Sequence, residues 1–446
     1  MRKVPVVAAL LVVLVVLAAG CGEPPPSAPV TVDPRIPAEL DVQESWRITR
    51  LGADHEIEGY ADRVSVLPGE PLRLHVSTTA PRFTARAFRM GANPAKVWES
   101  DPVKGRRQPP AHIVDGMVTA AHWPPSLTVD TTGWPEGSYL IRLDASTGAQ
   151  RYVPVTVRSA STAGRVVLVN AVTTWQAYNL WGGRSLYKGP GGYADRSRAV
   201  TFDRPYDGVG ARLFLDFEKD VMAVAEKSGV PLAYLTNLDL VPGALDGARA
   251  VISLGHDEYW TPGMRQVVTR ARDSGTNLAF LGANAVYWRI AVHGRTVACD
   301  KERQCRLWRD TRPESALVGQ MYDCYPAEAA YRVTRPDHWI FAGTKGRVFP
   351  GLAGVETDRV SRGSPAGVQV LAESPLSCGG RPTVAHSTYY TAPSGAGVFA
   401  SGTMRWVCGL RGRRCGHGVT DAAAAFTRRA TINLLTRFAQ GPAGRT

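Results

Sequence analysis

Three short segments of this chain gather titratable, amide and aromatic side chains behind buried-looking hydrophobic runs. Thr173 to Tyr187 carries Thr174, Gln176, Tyr178, Asn179, Arg184 and Tyr187 together with Trp175 and Trp181. Gly255-His256-Asp257-Glu258-Tyr259-Trp260 sets an imidazole beside two carboxylates and a phenol. Gly282 to Arg289 adds Asn284, Tyr287 and Trp288. Ordinary connecting loops rarely combine tight glycine turns with both polar and aromatic groups. Each segment also has a plainer reading, in which aromatics roof a sheet and His256 satisfies a buried backbone carbonyl. Three of them at one edge point to a site. Several chemistries are excluded. There is no Gly-x-Ser-x-Gly elbow, and no cysteine placed as a nucleophile. No phosphate-cradling glycine loop occurs, and the His256–Trp260 run lacks the second histidine of a zinc-protease helix.

These segments need elements to hold them at one edge. Arg165 to Asn170 reads as a buried strand, as do Leu232 to Leu235, Ala248 to Leu254 and Asn277 to Gly282. Phe214, Phe217, Val221 and Val224 recur at helical spacing up to Ser228-Gly229. Thr261-Pro262 is an N-cap with proline at the first helical position, and that helix ends near Ser274-Gly275. Gly397 to Gly402 is a late strand, and Asp421 is expected to cap a closing helix carrying Phe426, Leu435 and Phe438. Strands alternating with helices predict an α/β domain, with a parallel sheet covered on both faces. Ligands bind beyond the carboxyl ends of such strands, where all three segments fall. The stretch from about 290 to 395 is rich in cysteine, glycine and proline, and is expected to be an irregular insertion over the site. Residues 36–160 differ. Leu72-Arg73-Leu74-His75-Val76 and Gln150 to Val157 alternate as half-buried strands, between turns such as Pro68-Gly69-Glu70-Pro71. That pattern predicts an all-β, immunoglobulin-like sandwich serving as an accessory or interaction domain.

Thr174 to Tyr187, Phe202-Asp203-Arg204-Pro205-Tyr206, Gly255 to Trp260 and Leu281 to Trp288 together resemble the catalytic domain of the N,N-dimethylformamidase large subunit. The resemblance runs in order over roughly residues 165 to 440 and leaves out the first domain. It implies a three-layer, glutamine-amidotransferase-like (flavodoxin-like) fold over 163–440. It also implies a mononuclear ferric iron, with Tyr178, Tyr187 and Glu258 as ligands. Phenolate and carboxylate are hard oxygen donors suited to such a cation. A phenol with an ordinary pKa near 10 binds as the anion only when a metal stabilises it. The same resemblance assigns His256 to proton transfer or orientation, Asn284 to the substrate carbonyl or oxyanion, and Glu356 to a base. Asp257 stands where the family often has proline, which puts an extra carboxylate beside the ligand set. The expected function is an iron-dependent hydrolase of an amide-like C–N bond in a small molecule. Two alternatives remain open. One is a non-catalytic lipoprotein that binds a ligand or polysaccharide. The other is a carbohydrate-active enzyme using Trp175, Trp181, Trp260 and Trp288 with paired carboxylates. The substrate, a companion subunit and homo-oligomer formation are also left open.

The chain opens with Arg2 and Lys3, then fourteen apolar residues from Val6 to Ala19. That run is short for a bilayer span, which needs about 20 residues, and has the form of a signal peptide over 1–20. Leu17-Ala18-Ala19-Gly20-Cys21 resembles a bacterial lipobox, which implies lipidation of Cys21 and anchoring to the outer face of the cell membrane. The proline-rich stretch through residue 35 is expected to act as a tether. The six remaining cysteines lie in the last third, and an even count in an exported protein reads as disulfides. Local spacing favours Cys299–Cys305 and Cys408–Cys415, which leaves Cys324–Cys378. The net charge of +13 is arginine spread over many segments. It suits weak attraction to anionic envelope polymers and argues against nucleic acid.

Overall fold

Alternation of apolar and polar residues builds the first domain. The computed structural model describes residues 44–445, so the signal peptide, Cys21 and the whole tether lie outside it. Strand Leu72–Thr78 buries Leu72, Leu74 and Val76 and lies between Ile57–Ala61 and Leu127–Val129. A second sheet runs in the order Ser65–Val66, Gln150–Val157, Gly137–Ala145, Arg82–Met90, Ala95–Glu99. The two sheets share a core of Leu74, Val76, Phe83, Ile141, Leu143, Val153 and Val155. The outer face of the second sheet is not free. Its Phe88, Met90, Leu140 and Tyr152 enter the same hydrophobic cluster as the α/β domain. Gly137–Ala145 is therefore buried along nearly its whole length, the pattern of a strand covered on both faces. The first domain is a wall of the second.

The sheet strands of the second domain, numbered within it, are β1 Val166–Asn170, β2 Leu232–Thr236, β3 Ala250–Gly255, β4 Asn277–Gly282, β5 Gln369–Cys378, β6 Arg381–Thr391 and β7 Gly397–Ala400. Their order is β2-β1-β3-β4-β7-β6-β5. The strands from β2 to β7 pair in parallel, as expected. The hairpin β5–β6 adds to β7 antiparallel, so the sheet is mixed. Besides two short helical turns at Ser315–Val318 and Arg405–Gly409, the helices are α1 Val172–Tyr178, α2 Arg212–Phe217, α3 Lys219–Lys227, α4 Pro262–Asp273 and α5 Asp421–Ala439. On one face α3 and α5 pack on Leu168, Ile252, Ala279 and Phe399; on the other α4 packs on Val169, Val251, Leu278 and Phe280. Thr261 caps α4 by accepting from the Met264 amide at 3.1 Å, as its spacing predicts. At α5 the cap is Thr420, which accepts from Ala423 at 3.3 Å. Asp421 instead occupies the first turn, where the helix dipole favours a carboxylate. Among the described residues no helix is long and apolar enough to cross a membrane.

The region expected to be irregular holds two long hairpins: Met321–Arg332 with Val348–Arg359, and β5 with β6. Register shifts interrupt both ladders, and such bulges erase the strict alternation by which a strand is recognised in sequence. Cys324–Cys378 ties the first hairpin to β5, while Cys299–Cys305 and Cys408–Cys415 close short loops. The three bridges match the pairing that spacing favours.

Strands β3 and β4 end on a cross-strand pair, Gly255 opposite Gly282. A Cβ on Gly282 would lie 1.6 Å from the Gly255 carbonyl oxygen. Gly255 has φ +51°, and its own Cβ would meet the Phe217 carbonyl at 2.3 Å. Both neighbours are backbone, so no side chain can move aside. Gly282→Ala is expected to lower the unfolding free energy by about 3 kcal/mol or more, because overpacking here displaces main chain. Urea denaturation measures it, and a change within about 0.5 kcal/mol would show that the pair is not a packing constraint.

Candidate functional site

The order β2-β1-β3 reverses direction at β1, which makes the carboxyl ends of β1 and β3 a topological switch point. Helix α1 leaves β1 there, and the His256–Trp260 segment leaves β3. Short polar contacts stitch them together. The Thr173 hydroxyl donates to the Tyr259 carbonyl at 2.7 Å, and the Glu258 amide donates to the Thr174 hydroxyl at 3.0 Å. Asn237, just past β2, donates to the Thr173 hydroxyl and to Asp257. Asp257 also accepts from the Ser253 hydroxyl at 2.9 Å. That carboxylate turns back toward β3 and serves the stitching, rather than joining the oxygens beyond the strand ends. Glu218 fixes the start of α1, accepting from the Ala171 amide at 3.1 Å and the Trp175 indole at 2.7 Å.

On this frame Tyr178, Tyr187 and Glu258 converge. The Tyr178 hydroxyl donates to one oxygen of Glu258 at 2.8 Å and the Tyr187 hydroxyl to the other at 2.6 Å. The two phenol rings stack with centroids 4.4 Å apart. Burial, and then the Glu258 charge, push both phenols well above their usual range. Burial alone would raise the Glu258 carboxyl as well, but His256, Lys301 and the Tyr187 hydroxyl hold it low. The set is thus one carboxylate sharing two phenolic protons. Among the described residues no three His, Cys, Asp or Glu side chains group so as to hold a metal. A metal here would depend on the tyrosines.

Above this set stand His256, Glu356 and Asn284, all buried. His256 Nε2 lies 3.4 Å from Glu258 and 3.7 Å from Glu356. Burial disfavours its charge, but the Glu356, Glu258 and Asp257 carboxyls outweigh this and raise its pKa. Burial pushes the Glu356 carboxyl up to about 7, against the pull of His256. Asn284 faces Glu356 as well, and its amide lowers that carboxyl's pKa against the effect of burial. His256 Nε2, Glu356 Oε2 and Asn284 Oδ1 have no hydrogen-bond partner in the protein. Asn284 has φ +59° and Val286 φ +57°, a conformation rare for a β-branched residue. The loop is held so by Asp358, which accepts from the Asn284 amide at 2.9 Å, and by the Val286 and Tyr287 amides donating to the Asp257 and Glu258 carbonyls.

The six site residues predicted from sequence therefore meet, and the structure adds others. Arg204, in the Phe202–Tyr206 motif, is fully buried. It donates to Gln176 Oε1 at 3.0 Å and to the carbonyls of Gln176, Asn179, Trp181 and Arg184. It thereby fixes the bow that carries both tyrosines. Lys301 reaches in from the insertion, with Nζ 3.3 Å from the Tyr187 ring centroid. Burial pushes its pKa down to about 7. No motif announces Lys301, because its relation to Tyr187 is made only in three dimensions. Trp175, Trp181 and Trp260 are buried and pack the core, so they offer no stacking platform for a sugar. A groove lined by Pro242, Arg249, Arg270 and Pro442 lies at the opposite, amino-terminal edge of the sheet and touches none of these groups.

Comparison with known proteins places this geometry. The family model described as N,N-dimethylformamidase beta subunit-like, C-terminal, matches residues 84–421. The match begins inside strand Arg82–Met90 and so includes part of the first domain, which corrects the expected start at 165. The shared core explains why, since that strand's Phe88 and Met90 pack into the α/β domain. No curated protein matches the chain. Among solved structures, a putative ThuA-like protein from Bacteroides uniformis has 10% identity over 63% of this chain and 93% of its own, with TM-score 0.31. A cytoplasmic protein from Salmonella typhimurium has 10% identity over 40% and 72%, with TM-score 0.22. A Paenibacillus cycloisomaltooligosaccharide glucanotransferase has 15% identity over 28% of this chain and only 17% of its own, with TM-score 0.16. Likenesses this weak carry no argument about fold or activity.

Arg204→Met removes the donors that close the tyrosine bow and leaves four buried carbonyls short of a partner. It is expected to cost about 3–5 kcal/mol of stability, as breaking a buried charged network does. A loss below about 1 kcal/mol in chemical denaturation would show that the bow holds without it.

Proposed function

The chain belongs to the N,N-dimethylformamidase β-subunit-like family, and on that premise we propose that it is a metal-dependent hydrolase of an amide-like C–N bond. The observation that carries this reading is the meeting of two phenols on one buried carboxylate, beneath three buried polar atoms that lack partners. We read the second domain as the three-layer, glutamine-amidotransferase-like fold of that family and the first as immunoglobulin-like.

The residues fit a hard trivalent cation, with ferric iron as the first choice. Tyr178, Tyr187 and Glu258 are all oxygen donors and already lie within hydrogen-bond reach of one another. A cation would take the place of the two phenolic protons, which burial otherwise holds firmly in place. When bound, it would supply Lewis acidity toward a carbonyl oxygen and lower the pKa of water.

The remaining work falls to the protein. Glu356, with its pKa raised toward neutrality by burial, is suited to take a proton from the attacking water. The water oxygen forms the new C–O bond, the C–N bond breaks, and the proton passes to the leaving nitrogen. His256, facing both Glu356 and Glu258, holds that proton path in register. Asn284 fixes the Glu356 carboxyl, and its free Oδ1 is positioned to accept from the water or the substrate. We place the enzyme on the outer face of a bacterial membrane through lipid on Cys21. Three disulfides suit that oxidising side.

Two measurements test the reading. Elemental analysis of iron-supplemented protein is expected to give near-stoichiometric iron, with a phenolate-to-iron visible band that Tyr187→Phe and Glu258→Ala each abolish. Protein that stays metal-free would overturn the metal assignment. Glu356→Gln is expected to keep the metal and the band while lowering kcat for amide hydrolysis by about 10²–10⁴-fold. Amine release measured across a panel of amides reads this. Ligand binding without any amine release would mark a binding protein instead.

A further inference from the structure

Lys301 has a buried amino group that the proposed chemistry does not use. Its Nζ has no hydrogen-bond partner in the protein. It lies 3.3 Å from the Tyr187 ring centroid, 4.6 Å from that of Trp288 and 5.6 Å from that of Tyr259. A lysine with four methylenes and a free choice extends its ammonium into water. This one instead turns inward over Tyr187, and the loop that carries it is closed on itself.

Cys299 and Cys305 are bridged, and the amides of Arg303, Gln304 and Cys305 all point at the Asp300 carbonyl, at 3.2, 2.9 and 2.7 Å. The loop ends are fixed as well. The Cys299 amide donates to the Arg198 carbonyl at 2.9 Å, and Arg306–Leu307 pairs with Trp288–Arg289. Arg196 pairs with Glu302 at 3.1 Å, and Arg198 with Asp300 at 3.6 Å. Both arginines belong to the segment that follows Tyr187, so the loop is strapped to the stretch that carries the phenol.

We propose that the disulfide-closed loop 299–305 is a clip that presses the Lys301 ammonium onto the face of Tyr187. Lys301 is then a positioning residue for the Tyr187–Glu258 pair, and the competence of the site depends on the bridge. The contact over the ring face, 3.3 Å from its centroid, fixes where the phenol stands by cation–π attraction. Lys301 also offsets the buried Glu258 carboxylate. Opening the bridge frees the loop, and Lys301 withdraws to solvent. The inference deepens the metal-site reading and rests on it for its consequence, but not for the clip itself.

The test therefore has two readouts. The first needs no metal: reductive methylation of Lys301, followed by peptide mass spectrometry. Lys301 is expected to be protected in the oxidised protein and labelled in Cys299→Ala/Cys305→Ala. The second is titration with ferric iron alone. Lys301→Met and the bridge-free variant are expected to lose about tenfold or more in iron affinity and to shift the phenolate band, as changes to groups that support ligands do. Lys301→Arg keeps the charge and is expected to stay within about threefold of the parent. Equal labelling with and without the bridge overturns the clip. Unchanged affinity and band in Lys301→Met overturn the role toward Tyr187. If the parent protein binds no iron, the metal reading fails on its own, and the labelling alone decides for or against the clip.

Discussion

Everything around Glu258 answers to the cost of holding a carboxylate out of water. A lone buried carboxylate is expensive, and it persists only with donors and opposite charge in reach. Here the donors are two phenols on its oxygens, and the opposite charge comes from His256 on one side and Lys301 on the other. Each of these must itself be held. Arg204 fixes the bow of the tyrosines, the Asn237–Thr173–Asp257 contacts fix the segment of His256 and Glu258, and the Cys299–Cys305 loop delivers the lysine. The polar interior is a connected network in which each member is oriented by another.

That network explains the place of the first domain. The site sits beyond the carboxyl ends of β1 and β3, where a sheet alone would leave one side open. The first domain closes that side with contacts that are polar as well as apolar. Asn170, the last residue of β1, accepts from the Ser138 and Thr156 hydroxyls of the first domain. The Trp181 indole, within the tyrosine bow, donates to Glu58 at 2.8 Å. The family match, which begins within the first domain, agrees with such interlocking. The hairpin Met321–Arg332/Val348–Arg359 closes the opposite side and brings Glu356 over His256.

The chain's own sequence determined a good deal. Buried runs between glycine, proline and N-cap residues give β1 to β4 and α4, because these signals act over a few neighbouring residues. The same locality made the His256–Trp260 segment readable, and cysteine spacing gave the short bridges. Tertiary structure alone decided the rest. The outward face of a sandwich strand does not say what will cover it, so the fusion of the two domains could not be read from alternation. Bulged hairpins lose period two, so β5 and β6 looked irregular. The meeting of Tyr187 with Lys301, and of Glu356 with His256, joins residues about a hundred positions apart. Local pattern carries no record of such pairs, because their distances are set by how whole elements pack.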